Sequence, residues 1–169
     1  MELDQINELE ALRIAVEIEE NGYEFYTKAI EMVSDIEVKA LFQRLAREEK
    51  AHAARFQAIY DKYLADNPAG SDEYIYDPEV SSYLKAISMS AVFPPVGEID
   101  DVVEQVADIY DVLDLALQVE KDSILYYSEL AAHAKNPAAK SAFSALISEE
   151  RKHVIDIQRL LDLLDTDSI

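Results

Sequence analysis

An internal repeat constrains the fold of this chain most, since the sequence matches itself without a gap after a shift of 101 positions. In the first stretch of each half, Leu12, Ala15, Glu19 and Tyr26 match Leu113, Ala116, Glu120 and Tyr127. In the second stretch, Lys39, Phe42, Leu45, Glu48, Glu49, His52 and Gln57 match Lys140, Phe143, Leu146, Glu149, Glu150, His153 and Gln158. The two halves should therefore share one fold.

Each half is predicted to be a helical hairpin. Apolar residues recur with helical spacing over two stretches of each half. The predicted turns also match, because Asp35 aligns with Asn136, both good helix N-caps, and Pro137 suits a first helical position. With only 3 glycines and 5 prolines, the composition favours long helices. The first hairpin should span about residues 6–65 and the second about residues 99–164.

The segment between the hairpins, residues 66–98, differs in composition. The run Asn67-Pro68-Ala69-Gly70-Ser71 should end the second helix, and a short helix should run from about Pro78 to Met89. A connection this long fits a crossover along the bundle, which leaves the second and third long helices parallel. We therefore predict an all-α, ferritin-like four-helix bundle in a single domain over residues 1–169.

Charge and composition exclude several classes of function. The formal net charge of −20 should repel nucleic acids and anionic membranes, so we expect neither as a partner. The absence of cysteine excludes disulfides, Cys-ligated zinc and iron–sulfur centres. The start Met1-Glu2-Leu3-Asp4 lacks the features of a signal peptide, and no apolar run reaches membrane-spanning length. A cytoplasmic location is expected.

Ionisable residues interrupt the apolar stripes of all four helices. The first and third helices each carry a glutamate where a leucine would be expected, and the second and fourth each carry a Glu-x-x-His pair on one face. The set is Glu19, Glu49, His52, Glu120, Glu150 and His153. In each hairpin these residues are equally far from the turn, so they lie at one level. Four carboxylates and two imidazoles should therefore meet at mid-bundle.

Such a cluster predicts a pair of metal ions. Four buried carboxylates without compensation would cost several kcal/mol each, whereas two divalent ions neutralise them. The oxygen-rich set with one imidazole per metal favours iron or manganese, although zinc can occupy such a site in a preparation. One Glu-x-x-His alone is a weak signal. Two of them in register with repeated glutamates match the ligand pattern of carboxylate-bridged dimetal bundles.

Residues beside the predicted ligands leave alternatives open. Glu48 and Glu149 are either exposed or accept the N–H of a ligand imidazole. Tyr26 and Tyr127, two turns after the helix-one and helix-three glutamates, are either core aromatics or hydrogen-bond donors to a ligand carboxylate. His133 has no glutamate three residues before it and should lie on the surface.

These residues together resemble the rubrerythrin branch of the ferritin-like superfamily. The resemblance rests on Glu19 with Tyr26, Glu48-Glu49-Lys50-Ala51-His52, Glu120 with Tyr127, Glu149-Glu150-Arg151-Lys152-His153, and the run from Val119 to Tyr127. It implies a non-haem di-iron centre that reduces hydrogen peroxide or dioxygen, a role in oxidative stress, and a homodimer.

The sequence departs from that family in two ways. Without cysteine it cannot form the rubredoxin-like iron site, so an external electron donor such as a rubredoxin-like protein is expected. The family also has a further glutamate ligand one turn from the third-helix glutamate. Here Leu117, Ser123 and Ile124 occupy those positions. The chain therefore lacks the glutamate that the family uses in its redox-linked ligand exchange.

Two other functions fit the sequence. The first is a ferroxidase or iron-storage subunit, because bacterioferritin resembles this ligand set too. Its haem-binding methionine on the second helix has no counterpart, since the methionines are Met1, Met32 and Met89. The second is a metal-free helical adaptor.

Overall fold

The computed structural model describes residues 6–67, 75–90, 98–104 and 108–167. Four long helices dominate it, namely α1 (Glu8–Met32), α2 (Ile36–Asp66), α5 (Ile109–His133) and α6 (Pro137–Asp167), with two short ones between them, α3 (Pro78–Ser90) and α4 (Ile99–Glu104). Within the described residues, extended pairing is limited to a single antiparallel bridge between Asn7 and Ile75. The all-helical prediction is confirmed.

The helix boundaries follow the sequence repeat. Both α1 and α5 have 25 residues, both α2 and α6 have 31, and each pair of first residues is 101 positions apart. Local caps explain the starts: the side chain of Asp35 accepts hydrogen bonds from the N–H groups of Glu37 and Val38, and Asn136 accepts those of Ala138 and Ala139.

The second hairpin begins later than predicted. Residues 99–104 form the separate helix α4, which packs against α1, and α5 begins only at Ile109. The reason is a cap, because the side chain of Asp108 accepts a hydrogen bond from the N–H of Asp111. Residues 105–107 of the predicted second hairpin lie outside the described residues. At the other end, α6 extends to Asp167, beyond residue 164.

Contacts across the bundle define the helix directions. Tyr26 contacts Glu120 while Tyr127 contacts Glu19, so α1 and α5 are antiparallel. In the same way, α2 and α6 are antiparallel, because His52 contacts Glu149 while residue 153 contacts residue 48. Since α6 is also antiparallel to its hairpin partner α5, α2 and α5 run parallel, as the long crossover predicted.

The crossover is attached to the first residues of the bundle. The backbone N–H of Tyr76 donates to the carbonyl of Ile6 at 3.0 Å, and the N–H of Ile6 donates to Oγ of Ser81 at 3.0 Å. Helix α3 then packs against α5. In the part of the chain that the structure describes, no helix is long and apolar enough to cross a membrane.

Candidate metal centre

The six residues predicted as ligands come together in the middle of the bundle. Their relative exposures are 1% for Glu19, 1% for Glu49, 5% for His52, 0% for Glu120, 1% for Glu150 and 2% for His153. One ligand atom from each residue lies within 4.8 Å of the others in two groups: Glu19, Glu49, His52 and Glu150, and Glu49, Glu120, Glu150 and His153. Because Glu49 and Glu150 belong to both groups, they lie between two neighbouring sites.

Both imidazoles direct Nδ1 toward the carboxylates. Nδ1 of His52 is 3.1 Å from Oε2 of Glu19 and 3.4 Å from Oε1 of Glu150. Nδ1 of His153 is 2.9 Å from Oε2 of Glu150 and 3.3 Å from Oε1 of Glu49. The two rings stack with centroids 6.0 Å apart. Each of the two sites therefore has one imidazole nitrogen facing its carboxylates.

The other ring nitrogens are held by Glu48 and Glu149. Nε2 of His52 is 2.6 Å from Oε2 of Glu149, and Nε2 of His153 is 2.7 Å from Oε2 of Glu48. Both glutamates are also partly exposed, so each is at the surface and accepts an imidazole N–H at the same time. The hydrogen bond from His153 lowers the pKa of Glu48. A carboxylate at Nε2 keeps the proton there and leaves the Nδ1 lone pair available to a metal ion.

Two tyrosines donate hydrogen bonds to ligand carboxylates in a crossed arrangement. The hydroxyl of Tyr26 donates to Oε1 of Glu120, and that of Tyr127 donates to Oε1 of Glu19. Each phenol therefore reaches the glutamate of the other hairpin. Burial and then the charge of the neighbouring glutamate raise the pKa of both phenols, so they stay protonated.

The central carboxylates, by contrast, face the two imidazoles but accept no hydrogen bond from them. None of the four carboxylate oxygens of Glu49 and Glu150 has a hydrogen-bond partner among the described residues, although both side chains are buried. The short approach of His153 to Glu150 lacks hydrogen-bond geometry. Buried carboxylate oxygens normally accept hydrogen bonds, so four that accept none and lie between two imidazole nitrogens fit a pair of bridged metal ions.

Protonation compensates for part of this charge when metal is absent. Burial alone would raise the pKa of Glu150, but its contacts with Glu120 and His153 lower it overall. Burial, and after it repulsion from Glu150 and Glu19, raises the pKa of Glu49, and burial followed by Glu150 raises the pKa of Glu120 to about 8. Burial alone would lower the pKa of His52, but its contacts with Glu150 and Glu19 raise it overall. The metal-free site therefore binds protons where a metal-loaded site would bind cations.

Sequence reasoning missed several residues around the site. Arg44 lies 3.8 Å from Glu48, and Arg55 lies 3.9 Å from Glu149, so each carboxylate that holds an imidazole also faces an arginine. The i, i+4 spacing of Arg44 and Glu48 was the available signal. Glu8 was also missed: its buried carboxylate accepts the backbone N–H groups of residues 135 and 136, which fixes the α5–α6 turn.

His133, predicted on the surface, is there: its side chain is 43% exposed, and Nε2 lies 3.2 Å from Glu129 one turn earlier. It takes no part in the central cluster.

The sequence model of the Rubrerythrin family matches residues 2–88 and 111–169. The chain belongs to the rubrerythrin family. None of the curated proteins is significantly similar to it in sequence. A crystal structure from Thermotoga maritima, described as a ferritin-like diiron-carboxylate protein, superposes with a TM-score of 0.70 and 25% identity. That match covers 92% of this chain and 95% of the other chain.

The family match and the geometry of the cluster support the same conclusion. The chain is a ferritin-like bundle of the rubrerythrin family, and its central Glu/His cluster is suited to two metal ions. The sequence contains no cysteine, so it provides no ligands for a rubredoxin-type iron.

Proposed function

We propose that this protein reduces hydrogen peroxide, or dioxygen, at two iron ions held by Glu19, Glu49, His52, Glu120, Glu150 and His153, and that it receives electrons from an external donor. The observation that supports this most is that the four buried oxygens of Glu49 and Glu150 accept no hydrogen bond and lie between the two histidines. A buried cluster of four carboxylates has a high energy unless cations or protons neutralise it.

The two groups of residues define the assignment. Glu19 and His52 would hold one ion, Glu120 and His153 would hold the other, and the two central glutamates would bridge them. When bound and reduced, the ions supply two electrons, which together with two protons convert one hydrogen peroxide to two waters. The ligand set has no thiolate and one imidazole per ion, which suits iron and manganese.

The surrounding residues have separate tasks. Glu48 and Glu149 orient the imidazoles through Nε2. Tyr26 and Tyr127 each donate a hydrogen bond to one carboxylate oxygen, of Glu120 and Glu19 respectively, so that the other oxygen remains for a metal ion. Aromatic rings seal the next layer: Phe56 stacks on Tyr127 with centroids 5.7 Å apart. A dry, fixed cavity limits side reactions of a reduced metal pair.

Single-turnover kinetics test the proposal. The iron-loaded protein is reduced chemically without oxygen and mixed with one equivalent of hydrogen peroxide in a stopped-flow instrument, and oxidation of the iron is followed by absorbance. Rapid oxidation, faster with peroxide than with dioxygen, is expected. A protein that binds two irons but does not react with either oxidant would contradict the proposal.

A matched pair of variants locates the reaction. Glu49→Gln with Glu150→Gln removes both central carboxylates with little change in side-chain volume and should abolish the fast phase. Glu31→Gln with Glu79→Gln removes two exposed carboxylates and should leave it unchanged. If both variants keep the fast phase, the reaction takes place outside the cluster.

A further inference from the structure

A basic groove lies between α2 and α6, on the side of the bundle where Glu48 reaches His153. Its charged lining residues are Arg44, Arg47, Arg159, Glu37 and Asp156, and its volume is about 420 Å³. We call it the arginine groove. It contains half of the six arginines of a chain whose net charge is −20. The lining carries three positive and two negative charges, so the groove is locally cationic on an acidic protein.

The other half of the sequence repeat lacks these three arginines. The positions that match Arg44, Arg47 and Arg159 in the other half are Ala145, Ser148 and Ala58. Ala58 lines a smaller groove of about 240 Å³, with Lys62 and Asp66. That related groove has no net charge among its lining side chains. The cluster of three arginines is therefore specific to one end of the α2–α6 seam, whereas the other end has a single arginine, Arg55, at the position that matches Asp156.

Two contacts connect the arginine groove to the metal centre. Arg44 lies 3.8 Å from Oε1 of Glu48, and Oε2 of the same carboxylate lies 2.7 Å from Nε2 of His153. Nδ1 of His153 faces the central carboxylates. Electronic coupling decays more slowly through bonds and hydrogen bonds than through empty space. The groove is therefore two side-chain contacts from a ligand: an ion pair between Arg44 and Glu48, and a hydrogen bond between Glu48 and His153.

The exposed arginines at the groove remain accessible to a partner. Arg159 has a side chain that is 67% exposed and only a loose contact, 3.4 Å, with Asp156, and Arg47 is exposed. Guanidinium groups bind carboxylates in a bidentate manner, which makes them suited to an acidic protein surface. Elsewhere the negative charge of the chain repels such a surface, so electrostatics would guide it to this groove.

We infer that the arginine groove is the docking site of the electron donor, and that this donor is a one-electron carrier protein with an acidic face. The inference rests on the proposed function. Each docking event passes one electron to a ferric ion at the centre, so the carrier is oxidised by one electron and the ion becomes ferrous. Two such events restore the pair of ferrous ions that one peroxide consumes.

The test uses a reduced rubredoxin of net negative charge as the probe. It is mixed without oxygen with the iron-loaded, oxidised protein, and its oxidation is followed by stopped-flow absorbance at several salt concentrations. Arg47→Glu with Arg159→Glu should lower the second-order rate constant by about 10- to 100-fold at low salt, because it reverses the steering charge. The matched control, Arg13→Glu with Lys62→Glu, changes the net charge equally and should alter the rate by less than about threefold.

A second readout needs no metal. The dissociation constant of oxidised rubredoxin for the metal-free protein, measured by calorimetry, should rise in the groove variant and not in the control. Equal losses in both variants would mean that only net charge matters and would overturn the inference. A rate constant that does not depend on salt concentration would also overturn it. The same holds if millimolar inorganic phosphate displaces rubredoxin at constant ionic strength, or if rubredoxin neither binds nor reduces the wild-type protein.

The two proposals fail separately. If chemically reduced wild-type protein reacts with peroxide but rubredoxin never reduces it, the docking site is wrong and the proposed function stands. If rubredoxin binds at the groove but the chemically reduced protein ignores both peroxide and dioxygen, the proposed function is wrong.

Discussion

The crossed hydrogen bonds between phenols and ligand carboxylates make a quantitative prediction. Tyr127 and Tyr126 are neighbours in sequence, and both are completely buried. The hydroxyl of Tyr127 donates to Glu19, whereas that of Tyr126 has no hydrogen-bond partner among the described residues. Each residue can be changed to phenylalanine with the loss of one oxygen atom. The pair therefore separates the hydrogen bond from the packing of the ring.

The magnitude follows from the charge of the acceptor. A hydrogen bond to a charged group contributes about 1.5–3 kcal/mol. Tyr127→Phe should therefore lower the free energy of unfolding of the metal-free protein by about that amount, which is about 2–4 °C in Tm per kcal/mol for a chain of this size. Tyr126→Phe removes an unpaired hydroxyl and should change it by less than about 0.5 kcal/mol or raise it slightly.

A double-variant cycle tests the contact between the carboxylate of Glu19 and the phenol of Tyr127. Glu19→Leu removes a buried charge but leaves the phenol of Tyr127 without its acceptor, an opposing penalty of about 1–3 kcal/mol. The double variant Glu19→Leu with Tyr127→Phe removes both partners. It should be more stable than Glu19→Leu alone by about that penalty, because both variants share every other change, including the lost contact with His52.

Urea unfolding of the metal-free proteins at neutral pH, followed by circular dichroism, gives all the required values. Equal losses for Tyr127→Phe and Tyr126→Phe would refute the hydrogen bond. A double variant no more stable than Glu19→Leu would also show that the phenol and the carboxylate do not meet.

Three further predictions concern protons, ligand orientation and iron. The raised pKa values of Glu120, to about 8, and of Glu49 mean that the folded metal-free protein binds more protons than the unfolded chain. Its free energy of unfolding should therefore fall as the pH rises from about 4.5 to about 8, and bound metal should remove this dependence; thermal melts across that range check it. Glu48→Gln with Glu149→Gln should weaken metal affinity by about 10- to 100-fold without loss of helix content, measured by metal titration with circular dichroism. Aerobic iron loading should stop at about two ions per chain on a particle no larger than a dimer in sedimentation, whereas hundreds of ions in a closed shell would favour iron storage.

The fold could be predicted from sequence because the repeat supplied a second copy of each signal. One hairpin alone gives two amphipathic stretches with uncertain ends, but the matched capping residues Asp35 and Asn136 defined both turns. The start of α5 could not be predicted in this way. Apolar spacing continues through residues 99–106, and only the capping geometry of Asp108 shows that a new helix begins.

The candidate ligands could be predicted because charged residues on an apolar stripe are costly and therefore informative. The partners of those ligands could not. Whether Tyr26 contacts the glutamate of its own helix or that of α5 depends on how the helices cross, which periodicity does not determine. The arginine groove was missed for a related reason: Arg44 and Arg159 lie on different hairpins, and exposed arginines carry no pattern until the helices are packed.

On the proposed function, four glutamates and two histidines hold two metal ions side by side. A crystal structure of the iron-loaded protein with anomalous scattering measured at the iron edge tests it directly. We expect two peaks of equal height in the bundle, one bound by Nδ1 of His52 and the other by Nδ1 of His153, with Glu49 and Glu150 in contact with both. A single peak, peaks confined to surface carboxylates, or protein that takes up no stoichiometric iron would contradict this arrangement of ligands.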